Sequence, residues 1–290
     1  MAIREKALAK INLAQDIYYQ AEDDRFYFDM VMSSVDLADY LVIEENDSGE
    51  ILIRSNQHFL PRDRRNHAYQ AAVKMRELAG LDRGVTISIR KYIPVSAGLG
   101  GGSSDAAAVI RGLNRLWHLD WSLDQLMDIA VSIDSDAPYC LRGGLCRMTG
   151  SGRNYEVLPS LPSSWLVLAK PAFSISTPKM LAALKDHPQK LSTHAGPVTE
   201  AIKAGDFPRV MAELGNSLEA ITFNYYPKLK ALKERMQNFG AQGVTMTGSG
   251  STIIGFTRQQ QQAKRIYNGV KGFCEEVYVV RMNQNLRNIS

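Results

Sequence analysis

Long apolar stretches are missing from this sequence: no run approaches the roughly 18–20 residues that a membrane-spanning helix needs. A long apolar centre is missing from the opening MAIREKALAKINLAQ too, which carries charged and polar groups and is not expected to act as a signal peptide. Cysteine is scarce: Cys140, Cys146 and Cys274 are odd in number and lack metal-ligand spacing. Cys140 and Cys274 have apolar neighbours and read as reduced thiols in or near a core. The five histidines form no HExxH or paired zinc pattern and are given no catalytic role. A strong excess of one charge is also absent, because 34 basic and 30 acidic side chains leave only +4. That excludes a dense basic stripe for nucleic acid and suits an anionic small molecule. The most basic spot, PRDRRNH at 61–67, is interrupted by Asp63 and has no aromatic platform, so it reads as a solvated loop. These absences predict a cytoplasmic protein with neither a membrane nor a nucleic-acid partner.

What is present is core material. Hydrophobic residues make up 45% and charged residues 22% of 290 positions, enough for one large domain or two smaller ones. Residues 5–19 alternate loosely, and 28–46 hold extended apolar segments. The turn Asn46-Asp47-Ser48-Gly49 before ILIR predicts a hairpin. Residues 66–79 predict a helix with Asn66 as its cap and Gly80 beyond its end. In GVTISIRKYIP, Val85, Ile87 and Ile89 alternate with Thr86, Ser88 and Arg90, the pattern of a strand, which Pro94 stops. A helix is expected from about 103, with Ala106, Val109, Ile110 and Leu113 on one face. Ser122 and Gln125 form a capping box for the next helix, and IDSDAPYC (133–140) reads as a loop. The Pro- and Ser-rich EVLPSLPSSW (156–165) marks a junction, predicting domains at 1–158 and 159–290. Beyond it, strands and helices mix as an α+β layer, with a second small-residue loop, TGSGST, at 247–252.

The richest glycine segment is PVSAGLGGGSS, comprising Pro94, Val95, Ser96, Ala97, Gly98, Leu99, Gly100, Gly101, Gly102, Ser103 and Ser104. It lies between a clean strand and a strongly amphipathic helix. Free backbone N–H groups at a helix start, reached closely through glycines, make an anion site suited to phosphates. Ser103 and Ser104 add hydroxyls that can bond phosphate oxygens or hold a magnesium ion. No Gly-Lys-Ser/Thr of a P-loop is present, and no HRD or DFG set of a protein kinase. Asp105 has two readings, as a charge at the helix start or as an aid to magnesium, and the capping role is the one expected.

PVSAGLGGGSSDAAA resembles the second motif of the GHMP small-molecule kinases, which include galactokinase, homoserine kinase and mevalonate kinase. ALAKINL (7–13) is similar to the family's first motif, MTGSGST (246–252) to its C-terminal glycine motif, and SDAP (135–138) stands where a catalytic aspartate is expected. The similarity covers nearly the whole chain. Within the family it points to the members that phosphorylate a cytidyl-bearing alcohol in the non-mevalonate isoprenoid pathway. The resemblance implies a two-domain α+β fold: an N-terminal domain like domain 2 of ribosomal protein S5 and a ferredoxin-like C-terminal domain. It implies ATP with its phosphates on residues 94–104, contacted by Asn66 and Lys91 and closed over by Gly248, Ser249 and Gly250. Lys10 and Asp136 correspond to the catalytic pair. Asn12, on the same strand face as Lys10, is the expected substrate contact. Magnesium would accompany the nucleotide, with Ser103 as the candidate hydroxyl. A homodimer is compatible with the family, and nothing in the sequence marks an interface.

The chain departs from the pattern where the family reads cytosine. Asp24, Arg25 and Phe26 stand at the usual Gly-Tyr-His, and Leu181-Ala182 at the usual aromatic-Lys pair. Arg25, Phe26 and Leu181 therefore carry the question of the acceptor. The readings left open are the cytidyl alcohol with a modified base pocket, a different alcohol, or nucleotide binding without catalysis.

Overall fold

The computed structural model describes residues 2–150, 154–186 and 193–286. Two long antiparallel strands, β1 (Ala2–Gln20) and β2 (Arg25–Asn46), open the chain. The loose alternation of β1 has a cause: register shifts between Leu8 and Lys10 and between Asn12 and Ala14 break the period, and residues 7–17 are buried on both faces.

The hairpin expected after Asn46 does not form. β3 (Ile51–Ser55) pairs in parallel with β4 (Gly84–Arg90), and β4 is inserted between β3 and β2. Val85, Thr86, Ile87 and Ile89 are all buried, so β4 takes the interior place and the half-exposed β3 is left at the edge. Gly84 makes the insertion feasible, because a Cβ there would stand 2.2 Å from Asn46 Oδ1 and 2.7 Å from the Glu50 nitrogen.

The helix α1 (His67–Ala79) joins β3 to β4. Asn66 caps it by accepting the Ala68 N–H at 2.9 Å, and Gly80 closes it at φ 61°. Next come α2 (Gly101–Leu116), α3 (Leu123–Val131), which starts with the expected capping box, and α4 (Ala137–Arg142). The presence of α4 corrects the loop reading of 133–140. Pro138 suits a first turn, and the Asp134 carboxylate holds the Asp136 N–H at 2.8 Å. β5 (Leu145–Gly150) flanks β2, and β6 (Asn154–Val157) flanks β5. Ala106, Val109, Ile110 and Leu113 of α2 are fully buried in the first core, between this sheet and α1–α4.

The second half contains β7 (Trp165–Lys170), α5 (Thr177–Asp186), α6 (Ala195–Lys203), α7 (Phe207–Glu213), β8 (Gly215–Asn216), α8 (Glu219–Tyr225) and α9 (Pro227–Asn238). It ends with β9 (Gly243–Met246), β10 (Ile253–Thr257), α10 (Gln260–Val270) and β11 (Glu276–Asn283). Among the described residues the strands join as β3-β4-β2-β11-β7-β10-β9, with β1, β5, β6 and β8 branching from that path. The two halves meet where Met282 and Asn283 of β11 pair with Val35 and Ser34 of β2, and where β8 lies along Ala14 and Gln15 of β1. The architecture is α+β, as the sequence predicts. The three cysteines form no disulfide; Cys140 and Cys146 are buried and Cys274 partly so.

Candidate active site

β4 ends at Arg90, and the chain reaches α2 through the glycine segment. Ser96, Gly98 and Gly100 take left-handed backbone conformations at φ 54°, 75° and 65°. The helix starts at Gly101 rather than near 103, so the last two glycines form its first turn. Close approach explains the glycines. A Cβ on Gly98 would lie 2.3 Å from the Thr247 carbonyl oxygen, and one on Gly100 would lie 2.7 Å from Lys10 Cγ. Gly100 precedes α2 without any side-chain cap, which leaves the helix's first N–H groups directed outward.

A cavity of about 440 Å³ opens over this helix start. Residues 94–103 line it, together with Asn66, His67, Lys91 and Asp134. Ser104, Gly248, Ser249 and Gly250 do not. The Ser104 hydroxyl is turned inward and donates to the Leu8 carbonyl at 2.6 Å. The second glycine loop braces the first instead. The Thr247 hydroxyl lies 3.1 Å from the Gly98 carbonyl, and the Gly248 N–H donates to Asn12 Oδ1 at 3.1 Å. The Ser249 hydroxyl is 2.7 Å from that of Thr177, which does line the cavity, and Gly250 packs beneath against Met246 and Ile175. Gly98→Ala should therefore part the two loops, lowering the thermal midpoint and weakening ADP binding at least about tenfold, ~1.4 kcal/mol. Calorimetric titration of the purified variant checks this; native-like ADP affinity would contradict it.

Lys10 lies under the loop with its own N–H donated to the Leu99 carbonyl at 3.0 Å. Its buried ammonium, 3% exposed, sits 2.9 Å from Asp136 Oδ2 and 3.0 Å from Asn12 Oδ1. Asp136 is 22% exposed, so the pair has one anchored cation and one carboxylate open to solvent. Asn12 Oδ1 is engaged by Lys10, Thr247 and Gly248, and its Nδ2 lies 3.5 Å from the Met30 sulfur. Its polar atoms join β1 to the second loop, rather than facing an open substrate side as expected. The sequence reading missed Asp134, whose Oδ1 accepts both the Ser103 hydroxyl and the Asp136 N–H at 2.8 Å. The Asp-Ser-Asp spacing just before a proline is the signal that could have found it.

Asp105 does not cap α2. Its carboxylate is buried and accepts from the Lys91 ammonium at 2.7 Å, and Lys91 also pairs with the fully buried Asp39. Asp39 Oδ1 in turn accepts the N–H groups of Tyr92 and Ile93 at 2.6 and 2.9 Å, which fixes the chain entering the glycine segment. Burial pushes the Asp105 carboxyl up to about 7 against the pull of Lys91, and the nearby Asp39 charge adds to the rise. For Lys91, burial opposes the charge, but the two carboxylates outweigh it and its pKa is raised. Below about pH 7 the folded chain takes up a proton on Asp105 that the unfolded chain binds only near pH ~4. Stability contributed by this group therefore rises as pH falls through that window. The native chain should gain on Asp105→Asn between about pH 8 and pH 5 in urea unfolding. A difference that does not move with pH would contradict this.

At the far end of the β1–β2 hairpin, Arg25 is exposed, and Phe26 faces Tyr19 across the strands with ring centroids 5.2 Å apart. Phe26 and Leu181, the latter on α5, are both half-buried against the same apolar cluster. One turn beyond Leu181, Lys185 reaches Asp24 at 2.5 Å and lies 4.8 Å from the Tyr19 ring centroid.

Comparison with known proteins gives one answer at two levels. Residues 66–144 match the model of the GHMP kinases N terminal domain, and 198–276 that of the GHMP kinases C terminal domain. The chain is 46% identical over 285 residues to 4-diphosphocytidyl-2-C-methyl-D-erythritol kinase of Lactiplantibacillus plantarum, covering 97% of this chain and 98% of that one. It is 45% identical over 282 residues to the same kinase of Listeria innocua, with 97% and 96% covered. A crystal structure of 4-(cytidine 5'-diphospho)-2C-methyl-D-erythritol kinase superposes with a TM-score of 0.80 at 29% identity, covering 98% of this chain and all of that one. Homoserine kinase from Cytophaga hutchinsonii shares the fold, with a TM-score of 0.77 at 19% identity over 98% of this chain and 96% of that one.

Proposed function

This chain belongs to the GHMP kinase family, and from that membership we propose that it transfers the γ-phosphoryl group of ATP to the 2-hydroxyl of 4-diphosphocytidyl-2-C-methyl-D-erythritol. The observation that carries the chemistry is the solvent-open Asp136 carboxylate held 2.9 Å from a buried lysine directly beneath the glycine loop. Identity of about 45% along nearly the whole chain favours the cytidyl alcohol over another acceptor, and an intact acid–base pair favours catalysis over binding alone.

In this reading, residues 94–103 receive the phosphates of ATP, with Asn66 and His67 at the cavity's side. The substrate hydroxyl oxygen attacks the γ-phosphorus as its proton passes to Asp136, and the bond from that phosphorus to the β,γ-bridging oxygen breaks to release ADP. Lys10 keeps Asp136 oriented and offsets the charge that grows on the transferring group. The exposed N–H groups at the start of α2 stabilise the phosphate oxygens. Lys91 acts indirectly, by locking the entry to the loop through Asp39 and Asp105. Arg25, Phe26 and Leu181 form the cytidine end, where Phe26 offers stacking in place of hydrogen bonding. Residues 1–158 and 159–290 serve as the two domains, and the reaction takes place in the cytoplasm.

Magnesium fits the residues present. Ser103 and Asp134 offer hard oxygen donors at the cavity, and among the described residues no group of three or more His, Cys, Asp or Glu side chains could hold a metal unaided. An ion that arrives on the phosphates and takes one or two protein oxygens meets both conditions. When bound it would neutralise phosphate charge. The test of the function is ADP release by the purified protein with the cytidyl alcohol, against a panel of other alcohols. Turnover confined to the other alcohols would overturn the assignment.

A further inference from the structure

Asp134 stands between two parts of the site that come from different elements. One oxygen, Oδ1, receives the Ser103 hydroxyl from the first turn of α2 and the backbone N–H of Asp136 from the start of α4, each at 2.8 Å. The other oxygen lies 3.9 Å from His67 Nδ1, beyond hydrogen-bond length, and that nitrogen is buried with no hydrogen-bond partner. Asp134, Ser103 and His67 all line the cavity over the glycine loop.

Two consequences follow from this geometry. A serine hydroxyl has one proton, and here it is given to Asp134, so the Ser103 oxygen presents lone pairs to the cavity. It can ligate a cation but cannot donate to a phosphate oxygen without first losing Asp134. In addition, a carboxylate at the cavity wall repels a bare nucleotide and attracts one that carries a divalent ion. Both effects favour the metal-loaded nucleotide, in the way outer carboxylates orient the direct ligands of a metal.

We propose that Asp134 is a positioning residue that presents the Ser103 hydroxyl to the nucleotide's magnesium ion while holding the Asp136 segment beside it. The proposal rests on the ATP-dependent reading of the same site. It makes nucleotide affinity metal-dependent through a residue that touches neither the phosphates nor the acceptor.

Calorimetric titration of ADP, with magnesium and with chelator, separates this role from a structural one. The full-length native chain is compared with Asp134→Ala, Asp134→Asn and Ser103→Ala. In Asp134→Ala, binding of metal-free ADP should be equal or tighter, while binding of ADP with magnesium should weaken at least about tenfold, ~1.4 kcal/mol. Asp134→Asn keeps an acceptor for both donors, so it should keep the native thermal midpoint, lose the repulsion of bare ADP and show a smaller metal increment. Ser103→Ala should lose the metal increment, and adding Asp134→Ala to it should cost little more. An unchanged metal increment in Asp134→Ala, or equal losses with and without metal, would overturn the role. Failure of the underlying reading would appear separately, as native protein that binds ADP under neither condition.

Discussion

Asp136→Asn should lower kcat by about 10²–10⁴-fold while leaving ADP affinity close to native. The substitution keeps the shape of the side chain and the Asp134 contact to its backbone N–H, and removes the ability to take a proton together with the charge that pairs with Lys10. Lys10→Met should be slow as well, but for a different reason. Its ammonium organises Asp136 and Asn12 together, and through Asn12 the second glycine loop. It should therefore lose nucleotide affinity as well as rate. Steady-state ADP release with the cytidyl alcohol, paired with ADP titration, distinguishes the two patterns. Full activity in Asp136→Asn would remove the assigned base.

Lys91→Met should be the most destabilising single substitution near the site, costing about 3–5 kcal/mol. The ammonium is the cation that pairs with two carboxylates buried within hydrogen-bond reach of it. A loss of that size is a large part of the roughly 5–15 kcal/mol that a domain has in total. Without the lysine, Asp105 would take up a proton more readily still, so the penalty should shrink as pH is lowered. Adding Asp105→Asn should recover part of the loss at neutral pH, because one of the two uncompensated charges is then gone. Urea unfolding at two pH values measures both effects. A small, pH-independent change in Lys91→Met would show that the cluster is not charged in the way the geometry indicates.

The features legible in the sequence were those whose cause is local. A glycine segment between a strand and a helix announces close backbone approach wherever it occurs, and Asn66, Gly80 and the Ser122–Gln125 box act within a few residues of themselves. The hairpin after Asn46 was misjudged because turn chemistry says that the chain reverses, not which strand it then joins. That choice was made by β4, which comes about thirty residues later and is buried on both faces. The same limit explains Asp105. A helix start near 103 would put it in the first turn and suggests a cap, but α2 starts at Gly101 and its partner is a lysine fourteen residues earlier, beyond the loop. Asp39 and Asp134 escaped notice because each works by accepting backbone N–H groups, a role that leaves no periodic trace. The tip of the β1–β2 hairpin is the reverse case: the sequence exposes the departures at Arg25, Phe26 and Leu181, whereas Lys185 becomes visible only with α5 beside that tip.

The order of strands also governs how the chain comes into being. β11 emerges after every other described strand during synthesis, yet it fills the gap between β2 and β7. Until it arrives, the backbone of β7 on that side has no partner, and an unpaired strand edge invites association with other chains. The N-terminal core can assemble early, since its helices and sheet all precede residue 160. The rest must wait for residues 276–283 to leave the ribosome. A chain truncated before residue 276 would keep the residues that line the glycine-loop cavity and lose a strand that joins its halves. Nascent-chain quality control would be expected to act most heavily in that interval.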